Sequence, residues 1–383
     1  MLYLSGIFLS FFLSLILITK KGKNAADYLL LSWISITGFH LLTFYLFSTN
    51  QVSDYPTIIG IGLTLPLVQG PFLYLYTRQQ TTARPFKGIQ LLHFLPVILA
   101  NAIFIKFYLL SHEQKVEVFQ QNGQGFKWQS AVNLYAIYIS GIVYITLSFY
   151  HLLKYRKNLV NQFSNTEKIN FNWLLYLIVW MMAIWIIILV VRNDSWTFGA
   201  AALFILWLGF FGIKQVQVFS QHKTMMAASP IRQGKMNSDA NADKDVVELN
   251  PAESPAELKY QKSSLSDEDA NRIHDRLNEA LTHEKPFKNP ELTLNDLAEI
   301  LEVHPNHLSQ VINSRENKNF YDLINEKRVE EFIEIILKPE SQQFTLLALA
   351  FDCGFNSKAS FNRNFKKYTG RTPSEFLKQK LVA

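Results

Sequence analysis

The feature that most constrains this chain is the succession of long apolar runs that fills residues 1–213. Leu2–Thr19, Tyr28–Phe47, Thr57–Thr77, Ile89–Leu110, Ala131–Leu153, Phe171–Val191 and Thr197–Ile213 are separated only by short polar stretches. An α-helix rises about 1.5 Å per residue, so roughly 20 apolar residues cross a hydrocarbon core of about 30 Å. Most of the runs have that length, which predicts a polytopic bundle of about seven membrane helices. Leu2–Thr19 has no basic stretch before it and no small-residue cleavage pattern before Lys20, so it is expected to be a retained span rather than a cleaved leader.

Lys and Arg alternate between the connecting loops. Lys20, Lys21 and Lys23 follow the first run, Ser48–Pro56 carries no Lys or Arg, and the next loop holds Arg78, Arg84 and Lys87. Ser111–Ser130 has only Lys115 and Lys127, the loop after the fifth run has Lys154, Arg156, Lys157 and Lys168, and Arg192 alone follows the sixth. Cytoplasmic loops are the ones enriched in Lys and Arg. This pattern predicts a multi-pass protein with its N-terminus outside and everything after Lys214 in the cytoplasm.

The mean hydropathy of +0.07, with 49% hydrophobic and 18% charged residues, is then an average over two unlike halves. After the last run, 220–264 is rich in Ser, Asn, Ala, Asp, Glu and Pro without apolar periodicity, the composition of a flexible linker. From Leu265 onward charged and apolar residues alternate at three- and four-residue spacings, and Pro286, Pro290, Pro305, Pro339 and Pro373 divide the segment into short helices. The expected organisation is all-α: a membrane region at 1–219, a cytoplasmic linker at 220–264 and a soluble helical domain at 265–383. One cysteine, Cys353, excludes an internal disulfide or a multi-cysteine metal site, and a net charge of +6 suggests an anionic partner.

Within the soluble part, Leu292–Ile312 reads as a helix-turn-helix. Thr293 caps a helix with Asp296 in the capping-box region, a turn follows at Glu302–His304, and Pro305 opens a second helix. Leu297, Ala298, Leu301, Val303, Leu308, Val311 and Ile312 form a small hydrophobic centre, which leaves Asn306, His307, Ser309, Gln310 and Asn313 outward, able to meet base edges and phosphates. A second copy occupies Thr345–Tyr368, with Leu346, Leu349 and Ala350 on one helix, Gly354 at its end, and Phe361 and Phe365 on the next. Asn356 or Ser357 caps that next helix. Ser357, Lys358, Asn362, Arg363, Lys366 and Lys367 give it a basic face suited to phosphates and guanine edges. Phe320–Leu337 joins the two copies as one helix.

The last hundred or so residues resemble the DNA-binding domain of the AraC/XylS family of bacterial transcription regulators. The resemblance rests on residues 353–376, CGFNSKASFNRNFKKYTGRTPSEF, with Gly354, Phe355, Phe361, Arg363, Phe365, Lys366, Gly370 and Pro373 in order and spacing. The pieces KYQKSSL at 259–265 and NFYDLIN at 319–325 are similar to a membrane-attached subset of that family. Ala359 stands where a Ser is common, and Phe332 where a small residue is usual. The resemblance implies a domain of seven helices, two recognition helices entering successive major grooves about 34 Å apart, location in the bacterial inner membrane, and RNA polymerase as a partner.

The resulting expectation is a membrane-embedded, sequence-specific DNA-binding regulator that works as a homodimer. Its partners are double-stranded DNA, membrane lipid and a small-molecule or membrane-protein signal. Gln69, His93 and Asn101 are the candidate ligand-binding residues within the spans. The bland account of His40, His93 and Asn101 is interhelical hydrogen bonding, and Pro66 with Gln69-Gly70-Pro71 is expected to break or kink the third span. Tyr74, Tyr76, Trp128 and Trp196 read as interfacial belt residues. His304 and His307 read as turn and groove residues rather than metal ligands, and no metal or cofactor is expected. No carboxylate pair, nucleophile–base set or phosphate loop suggests an enzyme. The alternative is a membrane transporter or receptor whose C-terminal helical domain is an accessory protein-docking module. A linker of about 44 residues averages only about 35–40 Å between its ends; it transmits force poorly, which points to control through dimerisation or altered access.

Overall fold

The computed structural model describes residues 1–55, 57–82, 85–165, 172–214 and 265–380. The expected linker at 220–264, with Arg84 and Lys168 of the basic loops, lies outside the described residues. Among these, every regular element is helical, and a single isolated antiparallel bridge joins Phe163 to Thr293. The chain divides into two compact units, Met1–Tyr155 with Phe171–Ile231, and Arg156–Asn170 with Arg232–Ala383.

The first unit contains α1 (Leu2–Thr19), α2 (Ala25–Ser48), α3 (Pro66–Thr81), α4 (Leu95–Ile103), α5 (Ile105–Tyr108), α6 (His112–Gln120), most of α7 (Lys127–Leu159), α8 (Asn172–Ile186) and α9 (Asp194–Lys214). Five stretches are long and apolar enough to cross a membrane by length and composition: Leu2–Thr19, Ala25–Ser48, Lys127–Leu159, Asn172–Val191 and Asp194–Phe211. The other two apolar runs do not form single long helices. The expected break falls at Pro66, which lacks an N–H and suits a first turn and so opens α3, while Pro71 lies inside that helix. In the run at 89–110 a 3-10 segment, Gly88–Phe94, leads into α4, whose first turn contains Pro96 and which stops at Phe104.

Small residues let the helices of this unit approach closely. A Cβ on Gly38 of α2 would lie 2.6 Å from Ser10 Cβ of α1. Asn24 and Asp27 form a reciprocal capping box at the start of α2, and Lys20 closes on Asp27 at 2.6 Å in a largely buried ion pair. Many apolar side chains are left uncovered, among them Phe8, Ile98, Leu109, Ile139 and Val190. Of the expected belt aromatics, Trp128 and Trp196 are exposed. Tyr76 is instead buried against Trp33 and Trp173, and Tyr74 packs on the rings of His93, Tyr144 and His151.

The second unit contains seven α-helices among the described residues from Leu265 onward: α10 (Asp267–His283), α11 (Leu294–Ile300), α12 (Pro305–Arg315), α13 (Phe320–Ile336), α14 (Leu346–Asp352), α15 (Lys358–Thr369) and α16 (Pro373–Lys380). They enclose two apolar cores. The first brings Ile273 and Leu277 of α10 against Leu297, Leu308 and Ile312, and the second is dominated by Phe355, Phe361 and Phe365. Helix α13 serves both, placing Phe320, Leu323 and Ile324 in the first and Val329 and Phe332 in the second. Phe332 is fully buried with its ring 4.6 Å from that of Phe361.

Candidate nucleic-acid interface

Both helix pairs are built by the same local chemistry. Thr293 accepts from the Asp296 N–H at 3.2 Å while the Asp296 carboxylate accepts from the Thr293 N–H at 2.9 Å, a complete capping box. Thr345 likewise caps α14, accepting from the Ala348 N–H at 3.2 Å, without the return bond because Ala348 has no acceptor side chain. The first helices end alike as well. Val303 N–H reaches Ala298 O at 2.9 Å and Phe355 N–H reaches Ala350 O at 3.1 Å, each across a residue with positive φ, Glu302 at 50° and Gly354 at 96°. This is the Schellman turn, which satisfies helix-end carbonyls and redirects the chain. Both alanines are buried.

Gly354 is fixed by more than its φ. A Cβ there would lie 2.4 Å from Phe287 O and 2.9 Å from Lys288 O, so the backbone of 287–288 occupies the space of any side chain. Glu302, in the equivalent turn, projects into solvent and can carry one.

The second helix of each pair presents the expected residues, with qualifications. On α12, capped by His304 Nδ1, which accepts from the Asn306 N–H at 3.2 Å, Asn306 is exposed and His307, Ser309, Gln310 and Asn313 are half-buried. Asn313 spends one N–H on Ser309 O at 2.7 Å. On α15, Ser357 rather than Asn356 is the cap, accepting from the Ser360 N–H at 3.0 Å. Lys358, Asn362, Arg363, Lys366 and Lys367 are all exposed. They are not equally available. Lys367 is ion-paired to Asp322 at 2.6 Å, and Arg363 donates to the Tyr321 hydroxyl at 3.3 Å. Among the described residues no carboxylate lies within ion-pair distance of Lys358 or Lys366, which leaves these two with the clearest capacity for phosphate.

Sequence reasoning missed the supports behind this face. The Tyr321 hydroxyl accepts from Asn364 Nδ2 at 2.9 Å, and Tyr368 donates to Asp322 O at 2.5 Å, so the start of α13 holds α15 in place. Deeper in α13, Arg328 is almost fully buried and donates to Phe287 O at 2.7 Å and Asn289 O at 2.8 Å, with its guanidinium 5.9 Å from the Phe355 ring centre. Burial lowers its pKa to about 10, so it stays charged at neutral pH. Burial also acts on Glu331, but bonds from Lys285 at 2.5 Å and Lys288 at 2.8 Å outweigh it and hold the carboxyl below its usual range. Cys353 is buried and its thiol is pushed up to about 12, chiefly by that burial. Polar residues on the apolar stripe of α13, Asn325 and Arg328 among Leu323, Ile324 and Val329, are the signal that could have marked this site.

In the apolar unit, the three candidate ligand residues all have hydrogen-bond partners. Gln69 Oε1 accepts from Trp33 Nε1 at 2.6 Å, His93 Nδ1 is 3.1 Å from the Tyr144 hydroxyl, and Asn101 joins Thr64 and Tyr108 at 3.1 and 3.0 Å. Gln69 also lines a cavity of about 1010 Å³ with His40, Phe104, Asn133 and Trp185, whereas His93 and Asn101 do not.

Residues 297–379 match a family model described as a helix-turn-helix domain, of the AraC type. The match begins inside α11 and ends inside α16, covering both helix pairs and α13. It supports a DNA-binding transcription regulator, and members of that family are regulators rather than typical enzymes. No curated protein and no solved structure matches the chain.

Proposed function

We propose that the chain is a membrane-embedded, sequence-specific regulator of transcription. The observation that carries this reading is the paired helix-turn-helix, two units that share threonine caps and Schellman turns on one shared helix, with Lys358, Arg363 and Lys366 outward on the second. Five helices of sufficient length and apolarity, with uncovered Phe8, Ile98, Ile139 and Val190, support lipid as the solvent of the first unit. In this reading the membrane region is 1–219, with its N-terminus outside, the linker is 220–264, and the cytoplasmic DNA-binding domain is 265–383. The broken runs at 57–77 and 89–110 complete the crossings. Loop charges orient the bundle in a bacterial inner membrane. The cavity beside Gln69 is where a small ligand would act, a homodimer presents paired sites, and RNA polymerase receives the output.

The test uses full-length protein in lipid nanodiscs with duplexes recovered by mapping its binding sites in a genome. Tight binding to those duplexes that weakens steeply and log-linearly with salt supports the reading. Failure to bind any duplex more tightly than a random one contradicts it.

A further inference from the structure

A short stretch far from the helix-turn-helix in sequence is built into it. Helix α7 runs unbroken from Lys127 to Leu159, at about 1.5 Å per residue far longer than a bilayer core requires. Its last turn and the residues that follow belong to the DNA-binding unit. Tyr321 N–H donates to Val160 O at 2.9 Å, Leu294 N–H to Gln162 O at 2.9 Å, and Ser164 N–H to Leu292 O at 3.3 Å. Ser164, almost fully buried, adds three more bonds. Its hydroxyl donates to Leu292 O at 2.6 Å and accepts from Arg328 Nη2 at 3.1 Å, and its carbonyl accepts from Asn325 Nδ2 at 2.9 Å.

This attachment touches the supports of both recognition helices. Leu292–Leu294 contains Thr293, the cap of α11, and Tyr321 is the residue whose hydroxyl holds Asn364 and Arg363 of α15. None of the bonds that 160–164 make uses an outward residue of α12 or α15, so docking leaves the candidate DNA face open. The contacts are chiefly polar and backbone-mediated. Such bonds exchange for bonds to water at small net cost, so the strand can be released without unfolding either core.

We propose that residues 160–165 form a docking strand that fixes the relative placement of the two helix-turn-helix halves, and that its release is how the spans switch DNA binding off. This rests on the function proposed above. It gives the signal a route through α7 that avoids the linker, and it assigns Ser164, Asn325 and Arg328 as positioning residues.

The bridge geometry supplies the test. Phe163 and Thr293 face each other as a non-hydrogen-bonded antiparallel pair, a geometry with a Cα separation of about 4.5 Å, within disulfide reach. Full-length protein carrying Phe163→Cys and Thr293→Cys is placed in nanodiscs and oxidised; buried Cys353, with its raised pKa, stays out of the exchange. The expected result is an intramolecular cross-link, with oxidised protein binding its duplex as tightly as wild type. Ser164→Pro, which removes both the N–H and the hydroxyl, should weaken duplex binding at least tenfold at an unchanged unfolding midpoint, and Ser164→Ala should weaken it by less. Absence of the cross-link, loss of binding on locking, or wild-type affinity in Ser164→Pro while wild type binds normally would overturn the proposal alone. Absence of duplex binding in wild type as well would overturn the functional reading and this route with it. If Ser164→Pro lowers the unfolding midpoint, Ser164→Ala decides.

Discussion

Set side by side, α11–α12 and α14–α15 share a skeleton and differ in what they show. Threonine caps, buried alanines and Schellman turns recur in register, and Leu308 and Ile312 of one core occupy the places of Phe361 and Phe365 in the other. Outward, Ser309, Gln310 and Asn313 on α12 correspond to Asn362, Arg363 and Lys366 on α15. The first half offers neutral hydrogen-bonding groups and the second offers cations. Apolar spacing and capping therefore specify the scaffold and leave the positions between them free to differ, a difference that the proposed function reads as base readout against phosphate attraction.

The largest expected contrast lies in the turns. Gly354→Ala forces a Cβ against the Phe287 carbonyl in a positive-φ residue and should destabilise the domain by about 2–5 kcal/mol in thermal or denaturant unfolding. Glu302→Gly in the matching turn should be neutral or stabilise by up to about 1 kcal/mol; equal losses at both sites would break the claimed difference. Next come the faces. Arg363→Ala should cost about 1–3 kcal/mol of specific binding, and Lys366→Ala should reduce the log–log salt slope by about one, whereas Asn313→Ala should leave the slope unchanged. A slope change at Asn313 equal to that at Lys366 would erase the division of labour. The smallest effects are at the caps, where Thr293→Ala and Thr345→Ala should each cost about 1 kcal/mol of stability, equally if the halves are alike.

Much of the scaffold was legible in sequence, because a helix pair buries a repeating pattern. Leu297, Ala298, Leu301, Leu308, Val311 and Ile312 are all buried as expected, with Val303 partly so, and Thr293 with Asp296 forms the expected box. Gly354 was recognisable as a helix end, but the backbone pressed against it was not. Lys367 illustrates a second limit: it reads as a phosphate contact until Asp322 of α13 is found beside it. The docking of 160–165 was not legible because half of its bonds run between backbone atoms of segments distant in sequence, and Asn325 and Arg328 mark only the receiving side of the rest. Hydropathy likewise marked the runs at 57–77 and 89–110 as apolar; the prolines signalled the interruption of the first, whereas nothing singled out the break of the second.

The central claim is that one chain places two recognition helices on one duplex, and footprinting of that duplex tests it most directly. Hydroxyl-radical cleavage with full-length protein in nanodiscs should show two protected patches per chain, on one face, about 10 base pairs apart. Lys366→Ala should weaken protection in one patch more than in the other. A single patch per chain, or protection independent of α15, would contradict the account.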